Sequence, residues 1–118
     1  MAPFGRFREE ARQVQERHPH VELYLAWSGP AEPIVLHLIR TRPAYRGRGL
    51  AEAALLDVMA LADRLRVPLR LTAEPIAGDD TDPPRLIAWY RRHGFEVVRT
   101  ARPGDAAVIM QRPVGRGR

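Results

Sequence analysis

One stretch restricts the fold more than any other. A strand-like run from Ile34 to Thr41 is stopped by Pro43 and passes through Arg46-Gly47-Arg48-Gly49-Leu50-Ala51 into a long helical pattern. A second strand pattern then follows over Pro68 to Ala73. Strand, helix and strand in direct succession imply parallel pairing with a right-handed crossover, which places the chain among α/β architectures. In the helix, Leu50, Ala54, Val58, Leu61 and Leu65 share one stripe, while Glu52, Asp57, Asp63, Arg64 and Arg66 lie away from it. No Ser, Thr, Asp or Asn stands in capping position, so the first-turn amides are left free at the positive end of the helix macrodipole. Gly47 and Gly49 add no Cβ to shield them. Such a terminus can hold a phosphate, although a glycine pair between strand and helix also reads simply as a tight connection.

The rest of the chain divides cleanly. Phe4, Phe7, Ala11 and Val14 recur at helical spacing up to His18-Pro19, giving an amphipathic helix that packs on a sheet. Val21 to Trp27 alternates as a strand, and Ser28-Gly29-Pro30 is read as the turn into Ile34 to Thr41, so the two form an antiparallel hairpin. The second of these is apolar on both faces apart from His37 and Arg40, as in a central strand with a layer on each side. Glu74 to Asp82 reads as a loop with three aspartates, after which Pro83 and Pro84 open a helix capped by Asp82 or Thr81 and ended by Gly94. Phe95 to Arg99 and Ala106 to Gln111 form a closing hairpin, and Pro113 to Arg118 is expected to be a disordered tail. Residues 1–112 are expected to form one domain of 118-residue total length.

Charge says less about function than it first suggests. The formal net charge is +5, but all 19 basic residues are arginines scattered along the chain, the pattern a GC-rich coding bias would also produce. A nucleic-acid partner is therefore disfavoured. There is no cysteine, hence no disulfide, thiolate metal site or cysteine nucleophile, and no metal is expected. Met1 to His18 carries charges throughout and gives no secretory signal, and no segment reaches membrane-spanning length, so a cytoplasmic protein is expected.

The string PAYRGRGLAEAALLDVMALAD resembles the acyl-coenzyme A loop of the GNAT superfamily of N-acetyltransferases, whose pattern R/Q-x-x-G-x-G/A reads here as Arg46-x-x-Gly49-x-Ala51. Downstream, LIAWYRRHGFEVV is similar to the family's helix that carries a Tyr and ends in Gly-Phe. Both motifs and the strand between them cover about residues 34 to 99. The resemblance implies an α/β fold with a mixed, mostly antiparallel sheet whose middle strands splay apart, flanked by helices. Only one helix and two strands precede the glycine loop, so the N-terminal part is shortened; either the fold is trimmed or a homodimer partner covers the open sheet edge.

The resemblance further implies acetyl transfer from acetyl-coenzyme A (acetyl-CoA) to a primary amine. The pyrophosphate would lie on the amides of Arg46, Gly47, Arg48, Gly49, Leu50 and Ala51, and the pantetheine against the backbone of Ile39 and Thr41. A main-chain amide near Ile39 or Arg40 would polarise the thioester carbonyl. Arg46 and Arg48 would reach the phosphates; the alternative for each is a solvated loop arginine. Tyr90 matches the family's acid, against the alternative of a core tyrosine. Glu74 and His37 are both candidates for the proton acceptor, and a water chain is a third. The family's usual Asn seven residues before the Tyr is replaced by Pro83. Asp79, Asp80 and Asp82 could attract a cationic amine or simply form a solvated loop. Two other classes stay open: a coenzyme A-binding module without chemistry, and an arginine-rich nucleic-acid-binding domain.

Overall fold

The computed structural model describes residues 3–74, 82–104 and 106–115. The elements are α1 (Pro3–Arg17), β1 (Val21–Trp27), β2 (Ile34–Thr41), a short 3-10 turn (Pro43–Tyr45), α2 (Leu50–Leu65), β3 (Leu69–Ala73), α3 (Pro83–Arg92), β4 (Glu96–Thr100) and β5 (Val108–Arg112). They build one five-stranded sheet in the order β1-β2-β3-β5-β4. Only β2 and β3 run parallel; every other neighbour is antiparallel. This is the mixed, mostly antiparallel α/β sheet that the sequence leads one to expect. The turn before β2 falls one residue later than read from sequence, closed by the Glu32 N–H donating to the Gly29 carbonyl at 3.0 Å.

The crossovers β2-α2-β3 and β3-α3-β4 advance in the same direction across the sheet, and right-handed connections then place α2 and α3 on one face. Helix α1 joins them there: Phe7 packs against Trp27 with ring centroids 5.6 Å apart, and Arg17 reaches Asp57 of α2 with N–O distances of 2.8 and 3.0 Å. One core results. It draws Val14 from α1, Leu55, Val58 and Leu61 from α2, Tyr90 from α3, Ile34, Leu36, Leu69 and Leu71 from the strands, and Phe95 and Met110 from the closing hairpin.

The other face of the sheet is uncovered among the described residues, which corrects the two-layer reading of β2. Leu69, Leu71 and Ala73 are buried while Thr72 between them is exposed; on β2, His37 is exposed and Tyr24 opposite is 60% exposed. The apolar alternation of β2 looked two-sided because Val35 and Leu38 face a sheet surface that is only half-wet, and an antiparallel sheet tolerates one such face.

The middle strands splay. Pairing between β2 and β3 ends at Leu36–Leu71, although β2 continues along β1 to Thr41 and β3 along β5 to Ala73. The divergence starts at a bulge: Leu25 stands opposite Leu36 and Tyr24 opposite Leu38, so His37 is the extra residue on β2. Beyond it, β2 no longer pairs with β3.

Pro113, Val114 and Gly115 lie within the described residues, and the Gly115 N–H donates to Asp63 Oδ1 at 3.0 Å. Residues 116–118 lie outside them, as do residues 75–81 and with them Asp79, Asp80 and Thr81.

Candidate functional site

The splayed strands open a cleft of about 740 Å³. Its walls come from both faces of the sheet: Leu36, Ile39 and Leu71, which belong to or pack on the core, and Leu38, Arg40 and Thr72, which belong to the uncovered face. The cleft therefore passes through the sheet at the split. Arg46 and Ala51 close one end, Glu74 stands at the end of β3, and α3 supplies a wall of Arg85, Leu86, Ala88, Trp89, Tyr90 and Arg92.

Helix α2 begins at Gly49, which has φ 73° and ψ 16° and provides no side-chain cap. Gly47 has φ 82°, and nothing lies within 4 Å of a Cβ built on either residue. Backbone conformation, not crowding, is thus what requires glycine here, since the left-handed region disfavours residues with a Cβ. Arg48 between them has negative φ, so the signs alternate as they do in main-chain anion nests. The first helical bond is the Ala53 N–H donating to the Gly49 carbonyl at 3.2 Å, which leaves the preceding amides free of helical partners. Glycine conformation, missing cap and helix direction together make the region chemically suited to a diphosphate.

Around this terminus, Arg46 Nε donates to the Thr41 carbonyl at 3.3 Å, tying the loop to the end of β2. The Arg48 guanidinium lies 5.8 Å from the Tyr45 ring centroid, and Tyr45 stacks on His20 at 3.7 Å. The 3-10 turn carrying Tyr45 was not read from sequence; Pro43 marked it only as a break.

Tyr90 is 5% exposed and held by edge contacts to Trp89 and Phe95, with centroids 5.0 and 5.5 Å away. Burial pushes its phenol up to about 12. Its hydroxyl makes no hydrogen bond among the described residues, and the residue borders the cleft, so the phenol stays protonated and able to donate across neutral pH. Glu74 is exposed and ion-paired with Arg102, while His37 is exposed and lies under Tyr24 with centroids 5.1 Å apart. Tyr90, Glu74, His37, Ile39, Thr41, Arg46 and Ala51 all line the one cleft; Gly47, Arg48, Gly49 and Leu50 form the loop beyond its end.

Among the polar residues of the cleft, sequence reasoning passed over Thr72, Arg85 and Arg92. Seven-residue spacing between the two arginines on α3 was the available signal for them. His93, just past α3, bonds the α2 first turn through Nε2 to Glu52 at 2.9 Å and contacts the Trp89 carbonyl through Nδ1 at 2.9 Å, fixing α3 against the glycine loop. Among the described residues, no group of three or more His, Asp or Glu is placed to hold a metal ion, and no helix is long and apolar enough to cross a membrane.

No family model matches the sequence, and no curated protein matches it either. The fold does have counterparts among solved structures. ElaA of Escherichia coli aligns with TM-score 0.61 at 19% identity, covering 78% of this chain and 59% of that one. An acyl-CoA N-acyltransferase from Pseudomonas aeruginosa aligns with TM-score 0.56 at 27% identity, covering 76% and 59%. Arabidopsis thaliana Naa50, solved with the bisubstrate analogue CoA-Ac-MVNAL, aligns with TM-score 0.56 at 17% identity, covering 78% and 62%. The chain thus spans less than two thirds of the length of each of the three.

Proposed function

We propose that this chain, whose fold is that of the GNAT-type acetyltransferases it aligns with, is an acyl-CoA-dependent N-acetyltransferase, passing an acetyl group directly from acetyl-CoA to a primary amine. The observation that carries the reading is the split between β2 and β3, which opens beyond Leu36 and Leu71 with Tyr90 on its wall and the uncapped α2 terminus at its end. A thioester arm can lie there as an added strand, its amides meeting the main chain of β2 near Ile39 and Thr41, where β3 has ceased to pair with it. Its pyrophosphate can rest on the amides from Gly47 to Ala51, with the Arg46 and Arg48 side chains beside it; the expected Arg46 amide is instead directed to the Pro43 carbonyl at 3.5 Å.

Acetyl-CoA supplies the activated acyl group as a thioester. The amine nitrogen bonds to the carbonyl carbon and the carbon–sulfur bond breaks. The amine's proton leaves to Glu74, His37 or water, and the sulfur is protonated. Tyr90 serves this last step as a donor. Full transfer from a phenol near 12 to a thiolate with an ordinary value near 8.5 would be uphill by about 5 kcal/mol, so Tyr90 stabilises the leaving sulfur by hydrogen bonding while water completes the protonation.

A second reading, coenzyme A binding without transfer, is favoured by Pro83 in place of the family's Asn. Calorimetry with acetyl-CoA, paired with a thiol-release assay over a panel of amines, separates the two. Saturable binding with amine-dependent release is expected. Binding with no release from any amine selects the second reading, and no binding at millimolar acetyl-CoA removes both. An arginine-rich nucleic-acid domain remains the third and weakest alternative; strongly salt-sensitive nucleic-acid binding without any response to acetyl-CoA would select it.

A further inference from the structure

The uncovered face of the sheet is the surface that the proposed reaction has not yet used. With the pyrophosphate at the start of α2, the thioester arm enters between α2 and α3, on the helix-bearing face. The amine must then come to the split from the opposite face. Strand register shows what waits there. Tyr24 and Leu38 stand level on the β1-β2 side, and Thr72, Ile109 and Arg99 stand level on the β3-β5-β4 side.

This face is broad and, among the described residues, nothing stands over it. A small amine is held by enclosure, with roughly 70–90% of its surface buried in a pocket. A flat sheet face cannot do that; it suits a ligand that brings its own contact area. Tyr24 over His37 offers an exposed ring pair at the mouth of the split, with Tyr24 60% exposed.

Charge narrows the ligand further. The two ion pairs flanking the wide end, Glu22–Arg40 at 3.7 Å and Glu74–Arg102, neutralise themselves. Arg70 donates through Nε to Gln111 Oε1 at 2.8 Å and has no carboxylate partner among the described residues; Arg99 has none either. Against these two stands, among the described residues of this face, Glu96 on the far edge strand, level with Gln111.

We infer that the acceptor amine is carried on a polypeptide, within an acidic stretch laid across the uncovered face, with its carboxylates toward Arg70 and Arg99 and a neighbouring side chain on Tyr24. The inference rests on the transferase reading above and names its substrate class.

The test uses the full chain with saturating acetyl-CoA and measures thiol release. Acceptors are peptides with one free amine, N-terminal or lysyl, flanked by glutamates or by arginines, together with free lysine and a polyamine. The expected order of kcat/KM is glutamate-flanked above arginine-flanked by about tenfold, with the small amines lower still. Arg99→Glu should lower kcat/KM for the glutamate-flanked peptide by about fivefold and narrow the preference. Tyr24→Ser should raise peptide KM with kcat nearly unchanged. Both variants should bind acetyl-CoA as the parent does by calorimetry. Small amines used as well as any peptide, a preference for arginine flanks, or no effect of Arg99→Glu overturns the inference while normal acetyl-CoA binding and turnover leave the transferase reading standing. Loss of acetyl-CoA binding by the parent protein overturns that reading and the inference with it. Sedimentation showing a dimer that Tyr24→Ser dissolves would assign the face to a second copy and overturn the inference alone.

Discussion

Tyr90 is core by its ring and, under the proposed transferase reading, the donor by its hydroxyl. Its ring fills the space between Trp89 and Phe95, and its hydroxyl is left without a hydrogen bond among the described residues at the cleft wall. Those two roles predict a specific separation. Tyr90→Phe keeps the ring, so stability and acetyl-CoA affinity should stay near the parent's, while kcat falls by about 10- to 100-fold. The deficit should shrink above pH about 8.5, where a free thiolate no longer needs a proton. With the phenol pushed up to about 12, the parent enzyme should show no alkaline loss of rate from Tyr90 below that pH. Steady-state rates from pH 6 to 10 check this, and a Phe variant with parental kcat throughout would take Tyr90 out of the reaction. The residue was findable from its Trp-Tyr-x-x-x-Gly-Phe setting. Thr72 and Arg85 were not, because what brings them to the cleft is the divergence of two strands, and divergence depends on where pairing stops.

Helix α3 shows what can be read at the scale of an element. Its start follows from Asp82 and Pro83, and the structure bears this out: Asp82 Oδ1 accepts from the Arg85 N–H at 2.8 Å. Its end follows from Gly94, at φ 90°, where the Phe95 N–H reaches back to the Tyr90 carbonyl at 3.2 Å and the Gly94 N–H to Arg91 at 3.0 Å. Asp82→Ala should cost about 1 kcal/mol of unfolding free energy in urea titration, and Asp82→Asn much less, because Asn still accepts the Arg85 N–H. Equal losses from both would mean that the carboxylate charge, not the cap bond, is what matters. Local signals of this kind, caps, prolines and glycines, placed every helix and strand to within about two residues. Layering was harder. Leu55 and Ala62 are fully buried although they lie off the stripe read for α2, since that helix packs against β1, β2 and α1 together and needs a wider apolar face than one stripe. The bulge at His37 was also illegible, because nothing in an alternating apolar strand marks where one residue is skipped.

At the scale of the whole molecule, α2 is tied at two points by partly buried carboxylates. Asp57 takes Arg17 from α1, with His18 Nε2 at 3.0 Å, and Asp63 takes Arg112 from β5 at 2.8 and 3.0 Å together with the Gly115 N–H. The Arg17 guanidinium holds the Asp57 carboxyl below its ordinary range, and Arg112 does the same for Asp63, in each case against the opposing effect of partial burial. A carboxyl whose value is lower in the folded chain than in the unfolded one contributes stability that is present above the unfolded value. That contribution is lost as pH falls through the folded value, because the unfolded chain then binds more protons. The two ties should therefore hold from neutral pH down to about pH 4 and fail below it. Solvent limits their size: the Asp63 side chain is 36% exposed and Arg17 is 49% exposed, so each is worth about 1 kcal/mol or less. Asp63→Asn should lower Tm by a few degrees at pH 7 and leave a shallower acid limb than the parent's, with the two curves converging near pH 3. Arg112→Leu should behave likewise at pH 7, although it leaves Asp63 with only the Gly115 N–H. Thermal melts from pH 3 to 7 read both effects, and acid limbs of equal slope in parent and variant would show that Asp63 does not anchor β5 to α2.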